Sequence, residues 1–290
     1  SKLLKIGKEK NNGKANIISW FKCHILAEHL RQMGLKKEAF ELDNCSTCVT
    51  YAVFEDYKIV TDIRMCQKRY CPLCGDYKRK QHTKIMSCIL DHLFQNNTKL
   101  IVVSLEFTLR NNGVNNIKED NQILKNAWSK ITKAKAIKDK LLGYAYYLHP
   151  KYNIQNEEDD MNMHNHMHLL IFFKNISKEY VKEEYWRDIF KKRANLSYYP
   201  HVHLRFLNNK EEIMKKVYYA ARPIEIQHIP KVDIANYLKQ LKKQRLITIS
   251  QSLRAISKQL IDKHTRDFKG ELKSYARKYW AKDHYEIIEF

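Results

Sequence analysis

A histidine-rich segment carries the residues that are best suited to chemistry. The run from Met163 to Phe173 (Met-His-Asn-His-Met-His-Leu-Leu-Ile-Phe-Phe) ends in apolar residues, which is typical of a buried strand. Alternate strand residues share a face, so His166 and His168 project together at a spacing that suits one divalent ion. His149 ends the preceding strand, and antiparallel pairing would bring it beside them as a third ligand. Three ligands leave coordination positions for a phosphate oxygen, which metal-assisted phosphoryl transfer requires.

A second His-x-His pair is interpreted differently. An isolated pair of this kind is more often a histidine-rich strand edge that holds no metal, and we assign His201-Val-His203 to that class. His166 and His168 differ from this pair because His149 is expected to lie beside them as a third ligand.

Cysteines form the second candidate site. Five thiols lie within 30 residues, and paired Cys-x2-Cys spacing predicts a tetrahedral zinc site; they are Cys45, Cys48, Cys66, Cys71 and Cys74. Four thiolates leave no open position, so this zinc is expected to be structural. The sequence leaves open which four of the five bind it. Cys23 and Cys88 lie outside the cluster and fit core positions.

Positive charge dominates the composition and limits the class of partner. Lys and Arg total 53 against 32 Asp and Glu, a formal net charge of +21, which suits the neutralisation of a polyanion. No apolar run reaches the roughly 18 residues of a membrane span. The first residues lack the apolar core of a signal peptide. Seven cysteines, five of them clustered, favour metal binding over disulfides, so we expect a reducing, cytoplasmic location.

The elements that must position these residues alternate between strands and helices. Apolar and β-branched runs predict strands at 100–109, 143–149, 166–173 and 199–206. Helical periodicity predicts helices at 17–32, 77–94, 120–142, 178–193 and 209–221, and over the last 60 residues. This order predicts an α+β fold whose central, mostly antiparallel sheet is flanked by helices.

Four motifs in order resemble a known family. They are Cys66-Gln-Lys-Arg-Tyr-Cys-Pro-Leu-Cys74, Ser104-Leu-Glu-Phe-Thr-Leu-Arg-Asn111, Gly143-Tyr-Ala145 and His166-Met-His168. Together they resemble the rolling-circle replication initiators of small bacterial plasmids, which are members of the HUH endonuclease superfamily. The resemblance runs from about residue 48 to residue 260. It implies a metal-binding role for His166 and His168, and it puts His149 where relatives carry a glutamate, so a third ligand there is expected.

The resemblance also implies a tyrosine nucleophile. In relatives it lies in a helix after a polar stretch, here Asn208-Asn-Lys-Glu211, and a basic residue follows it closely, here Arg222. Spacing from the polar stretch favours Tyr218, whereas the Tyr-x-x-basic pattern favours Tyr219. Tyr237 is the alternative, since an acidic residue precedes it at a spacing that some relatives use.

One feature of relatives has no direct counterpart here. They often carry a glutamate four residues before the tyrosine, and it is thought to activate water for the terminating cleavage. Met214 and Lys215 occupy those positions in this chain. We expect Glu211 or Glu212 to substitute, or the second adjacent tyrosine to complete termination.

The resemblance implies an enzyme that nicks and joins a single DNA strand at a replication origin, using Mg²⁺ or Mn²⁺ and a 5′-phosphotyrosine intermediate. The rivals are an HUH transposase or relaxase with the same chemistry, and a zinc-containing DNA-binding regulator without catalysis. No P-loop is present, so a host helicase is expected to open the duplex for a polymerase, and a homodimer is possible. Basic residues near the motifs are expected to contact DNA, namely Arg69, Arg79, Arg110, Lys215, Lys216 and Arg222.

The expected architecture has four parts. It comprises a basic arm with an N-terminal helix, a cysteine zinc module, an HUH-type nuclease domain and a helical C-terminal region. The boundaries are 1–42 for a basic arm and N-terminal helix, 43–77 for the zinc-binding module, 78–225 for the nuclease core, and 226–290 for the helical region.

Overall fold

The structure is a computed structural model that describes residues 4–5, 12–45, 47–54, 58–97, 99–153, 162–175, 182–265, 274–281 and 284–289. Most of the basic arm predicted for the first 14 residues therefore lies outside the described residues. The chain forms two compact units. The cysteine unit comprises Ser1–Lys78, Pro223–Gln227 and Lys263–Phe290, and the histidine unit comprises Arg79–Arg222 and His228–Asp262.

The cysteine unit combines two helices with an antiparallel sheet. Helix α1 spans Asn12–Gln32 and α2 spans Lys36–Asp43. Gly34, with a φ of 85°, ends α1 where the sequence predicts a stop, because glycine adopts the left-handed conformation at little cost. The sheet order is β1-β3-β2-β9-β10, with strands Leu4–Lys5, Cys48–Val53, Lys58–Ile63, Ser274–Ala281 and His284–Glu289 as β1, β2, β3, β9 and β10.

The histidine unit is built on a second antiparallel sheet, in the order β7-β4-β6-β5-β8. Its central strands are long because their apolar, β-branched runs are buried on both faces. The strands are β4 (Ile101–Thr108), β5 (Leu141–Tyr152), β6 (Met163–Phe173), β7 (His201–Leu207) and β8 (Ile247–Ile249). The predicted α+β fold with a mostly antiparallel sheet is confirmed.

Helices cover both faces of this sheet. On one face, Phe107 of β4 stacks on Phe190 and lies near Trp128, so this face packs against α6 (Glu183–Ala194) and α4 (Ile117–Thr132). On the other face, a buried apolar cluster joins the sheet to α3 and α7, which span Pro72–Asn96 and Lys210–Ala220. The remaining helices are α5 (Lys135–Lys138), α8 (Lys231–Leu241) and α9 (Gln251–Thr265). No helix in the described part of the chain is long and apolar enough to cross a membrane.

Two predicted helical stretches need correction. The helix predicted at 120–142 ends at Thr132. The last residues of that stretch belong instead to β5, which begins at Leu141 and pairs within the sheet. In the C-terminal region, which the sequence predicts to be helical, only α8 and α9 are helices among the described residues. Its last part forms β9, which pairs with β2 more than 200 residues earlier in the chain, and β10, which pairs with β9.

Candidate active site and metal centres

Three histidines meet on the face of the histidine unit's sheet that α3 and α7 cover. His149 of β5 lies directly opposite His166 of β6 in the antiparallel register, which is the pairing expected from the sequence. One ligand atom from each of His149, His166 and His168 lies within 4.8 Å of the other two. Their ring centroids are 4.7 to 5.4 Å apart. This histidine triad has a separation that suits one shared cation.

The hydrogen bonds of the triad orient it for a metal. His149 donates through Nε2 to the Ala220 carbonyl at 2.6 Å, and His168 Nδ1 lies 2.8 Å from the Glu106 carboxylate. His149 Nδ1 and His168 Nε2 are left buried without a hydrogen-bond partner. A ring whose other nitrogen is engaged by a carbonyl or carboxylate is the usual form of a metal-ligating histidine. The residues therefore fit a divalent cation.

Burial keeps the triad in the neutral form that binds metals. Desolvation lowers the pKa of His149 well below its ordinary value, and it lowers the pKa of His166 to about 3. For Glu106, burial favours the protonated form, but the hydrogen bond with His168 and the positive charge of Lys216 outweigh it and hold the pKa at about 2. The site thus combines neutral imidazoles with one ionised carboxylate behind His168.

The opposite face of β6 is fixed by a buried polar contact. Asn165 lies between His164 and His166 in the sequence and points away from them, because strand residues alternate. Its Nδ2 donates to Asp120 Oδ2 of α4 at 2.6 Å, and both side chains are buried. This contact restrains β6 where it carries the triad.

Tyr219 is the tyrosine that contacts the triad. Its ring centroid lies 5.9 Å from that of His168, in an edge-to-face arrangement, and about half of the side chain is exposed. The Arg222 guanidinium lies 4.5 Å above the same ring. Lys216 Nζ lies 5.8 Å from the ring centroid and 4.0 Å from Glu106. Helix α7 therefore brings one aromatic hydroxyl and two cations to the histidine triad.

Tyr218 points to a neighbouring groove. The Arg79 guanidinium of α3 lies 4.0 Å over its ring. The groove has a volume of about 520 Å³, and it is lined by Arg79, Thr83, Glu211, Met214, Lys215, Tyr218, Tyr219 and Arg222. The two adjacent tyrosines thus line one groove but have different ring partners.

The other catalytic candidates occupy distinct settings. Tyr237 is almost wholly buried, its hydroxyl donates to the Pro150 carbonyl at 2.7 Å, and burial raises its pKa well above the ordinary value. Glu212 belongs to the start of α7: its N–H donates to Asn209, and its carboxylate accepts from the Asn208 N–H. Glu211 lines the groove and pairs with Lys215 at 2.7 Å.

The six basic residues expected at DNA do not form one group. Four lie around the groove and the triad, namely Arg79, Lys215, Lys216 and Arg222. Arg110 is exposed and stacks over Tyr198 at 4.2 Å. Arg69 belongs to the cysteine unit and is half-buried, and burial lowers its pKa, which suits a structural position better than a phosphate contact.

The structure selects four of the five clustered cysteines. The thiols of Cys45, Cys66, Cys71 and Cys74 converge, with neighbouring Sγ atoms 3.4 to 3.6 Å apart. Four sulfurs around one zinc ion lie about 3.8 Å apart when the Zn–S bonds have their usual length. Cys48 is outside the group because it begins β2 and pairs there with Tyr279. Its inclusion in the candidate set is corrected.

Cys23 lies beside this cysteine group. It is buried, as its expected core position requires, and its Sγ lies 3.6 Å from that of Cys71. Hydrogen bonds from Cys23 and Cys45 raise the pKa of Cys71, and those from Cys45 and Cys66 lower the pKa of Cys74. Thiols that converge in this way release their protons when they bind a cation.

Replacing one member of the cysteine group should remove its metal. We expect the wild-type protein to hold one zinc ion at this group, and we expect Cys66→Ser to lose most of it and to melt about 10 °C lower, because structural zinc contributes directly to folding. Elemental analysis and thermal unfolding measure the two effects. Cys48→Ser is the matched control and should keep its zinc. Zinc loss in Cys48→Ser with retention in Cys66→Ser would contradict the observed group.

Comparisons with known proteins define the class. An antiparallel sheet that carries a His-Met-His strand beside a helix tyrosine is consistent with the HUH endonuclease superfamily. The model of a family described as "Replication protein" matches residues 57–287, so the chain belongs to that replication protein family.

Three similar curated proteins share the name "Protein rep". "Protein rep" of Lactiplantibacillus plantarum is 25% identical over 62% of this chain and 56% of its own length. "Protein rep" of Lentilactobacillus hilgardii is 23% identical over 64% and 59%, and that of a Bacillus species is 24% identical over 65% and 63%. The chain thus spans about three fifths of the length of the curated relatives it matches. No solved structure matches the chain.

Proposed function

We propose that this protein initiates rolling-circle replication of a plasmid by nicking one DNA strand at the origin. The observation that carries the proposal is the contact of Tyr219 with the histidine triad: a half-exposed tyrosine 5.9 Å from His168, beside ring nitrogens that have no hydrogen-bond partner. Nucleophile and metal ligands on one surface are what a phosphoryl transfer to tyrosine requires.

In the proposed step, Tyr219 Oη loses its proton and forms a bond to the phosphorus of the scissile phosphate. The bond from phosphorus to the 3′ oxygen breaks, and that oxygen takes up a proton and leaves as a 3′ hydroxyl. Arg222 and Lys216 stabilise the negative charge that develops on the tyrosine and the phosphate. His149, His166 and His168 would hold a divalent cation, which would supply Lewis-acid polarisation of the phosphate.

The phosphotyrosine keeps the energy of the broken bond, so a later 3′ hydroxyl reverses the step and joins the ends.

For termination we favour Tyr218 and Glu211 over Glu212. Tyr218 and Glu211 line the same groove as Tyr219, whereas Glu212 is engaged at the start of α7. A host helicase and polymerase are the expected partners of the 3′ hydroxyl product.

A covalent-capture experiment tests the proposal with no need for the origin sequence. The protein is mixed with a random single-stranded DNA library and Mn²⁺, and complexes stable to SDS are isolated and sequenced. Adducts should retain a label at the 3′ end of the DNA and lose one at the 5′ end, because tyrosine keeps the 5′ phosphate. EDTA should abolish them. DNA binding without any adduct, with or without Mn²⁺, would favour the non-catalytic regulator.

A further inference from the structure

A second pair of histidines lies in register with the triad. Residues directly opposite each other in antiparallel strands point to the same face. Thr108 of β4 lies between His201 of β7 and His166 of β6, and Glu106 likewise lies between His203 and His168. Two strand spacings separate His201 from His166, about 10 Å. The His201-Val-His203 pair therefore continues the row that carries the triad.

The histidines of β7 are exposed to solvent, whereas those of the triad are mostly buried. His201, His203 and Arg205 alternate as exposed residues along β7, which is an edge strand of the described sheet. His203 is 63% exposed, whereas the side chain of His168 is 4% exposed. The Glu183 carboxylate, 3.4 Å from His203, also accepts the Leu204 N–H, so it fixes β7 locally.

Two aromatic rings paired with cations border the same strand. Tyr198 lies under the Arg110 guanidinium at 4.2 Å, and its hydroxyl accepts the Arg110 N–H. Tyr199 is 65% exposed, and Lys191 Nζ lies 3.6 Å from its ring centroid. Aromatic rings beside cations are the usual means by which proteins bind unpaired bases and their phosphates together.

We propose that this β7 surface, formed by Tyr198, Tyr199, His201, His203, Arg205 and Arg110, binds the single DNA strand on one side of the scissile phosphate. The inference rests on the proposed function and extends it. The imidazoles and Arg205 contact phosphates or base edges, and the tyrosines stack on bases. A strand that crosses the sheet from the β7 surface reaches the triad within the width of two β-strands. The groove beside Tyr218 is then left for the opposite flank.

Photocrosslinking locates the strand directly. An oligonucleotide of thymidines with interspersed 5-iododeoxyuridine is bound to the Tyr219→Phe variant in EDTA, which prevents cleavage, and is irradiated. Trypsin releases Ala194–Arg205 as one peptide that contains both tyrosines and both histidines of the β7 surface. We expect this peptide among the main crosslinked products. Its absence, with crosslinks elsewhere on the protein, would overturn the proposal.

Paired charge-changing variants test the energetics. His201→Glu/His203→Glu should weaken anisotropy-measured binding of the same oligonucleotide by about tenfold. Lys135→Glu/Lys138→Glu is the control: both lysines are exposed on α5, which leads into the start of β5 at the opposite end of the sheet from His149. It changes net charge more, yet should weaken binding by less than about threefold.

The outcomes separate local contact from general electrostatics and from misfolding. An equal or larger loss in the lysine variant would refute the β7 surface. Thermal melting and Mn²⁺ titration should show that both double variants fold and still bind the ion, since neither removes a member of the triad. Capture of adducts by the wild-type protein, with no crosslink to Ala194–Arg205, would leave the proposed nicking activity standing and remove only this inference.

Discussion

The Tyr219→Phe variant is expected to form less than about one thousandth of the wild-type phosphotyrosine adduct, because it lacks the oxygen that attacks phosphorus. Its DNA affinity should change little, since the ring and its contacts with Arg222 and His168 remain. Covalent capture on single-stranded DNA with Mn²⁺ measures the adduct, and anisotropy in EDTA measures the affinity. Loss of both would indicate a folding defect instead.

Tyr218→Phe is the matched control, one residue away on the same helix and equally exposed. Its adduct should stay within about tenfold of wild type, because its ring contacts Arg79 and not the triad. The reverse result, in which only Tyr218→Phe abolishes the adduct, would mean that α7 presents the other tyrosine during catalysis. Loss in Tyr237→Phe alone would overturn the assignment to α7.

Sequence reasoning could not choose between these tyrosines for a physical reason. Consecutive helix residues point about 100° apart, and both hydroxyls can therefore remain exposed on one helix. What distinguishes them is which neighbouring element lies under each ring: β6 with His168 for one, and α3 with Arg79 for the other. That information is tertiary, and the local pattern around residues 208–222 does not contain it.

The histidine triad is more accessible to prediction because its geometry follows from strand periodicity. Two histidines at i and i+2 of a strand must share a face, and a short connection favours antiparallel pairing with the strand before it. Those two rules predict that His149 lies near His166 and His168, and the observed register places it directly opposite His166. The same rules do not place His201 and His203, since β7 joins the sheet next to β4, a neighbour nearly 100 residues earlier.

Cys48 shows how a local motif is overridden. Its spacing from Cys45 is that of a zinc-binding turn, so the sequence offers five thiols. In the structure, Cys48 is the first residue of β2. This strand lies between β3 and β9, and β9 comes from the C-terminal end of the chain. Strand pairing over such a distance determines the direction of the chain at Cys48, and Cys66 takes its position in the cysteine group.

Glu106 should control the metal affinity of the triad. It approaches His168 Nδ1 at 2.8 Å, which holds the ring with Nε2 toward the site. Glu106→Gln keeps the shape but removes the charge, and we expect Mn²⁺ affinity to fall by about 10- to 100-fold, the usual cost of losing a carboxylate behind a ligating histidine. His168→Ala removes the ligand itself and should abolish measurable binding. Calorimetric titration with Mn²⁺, without DNA, measures both variants independently of catalysis.

His203→Ala is the control that makes this prediction specific. Glu106 of β4 lies between His168 of β6 and His203 of β7, and all three point to the same face of the sheet. Unlike His168, His203 is exposed and does not belong to the triad. Its loss should leave Mn²⁺ affinity unchanged while it weakens binding of single-stranded DNA. Equal loss of metal affinity in Glu106→Gln and His203→Ala would show that the ion sits between β4 and β7. In that case the orphaned nitrogens of His149 and His168 would not be its ligands.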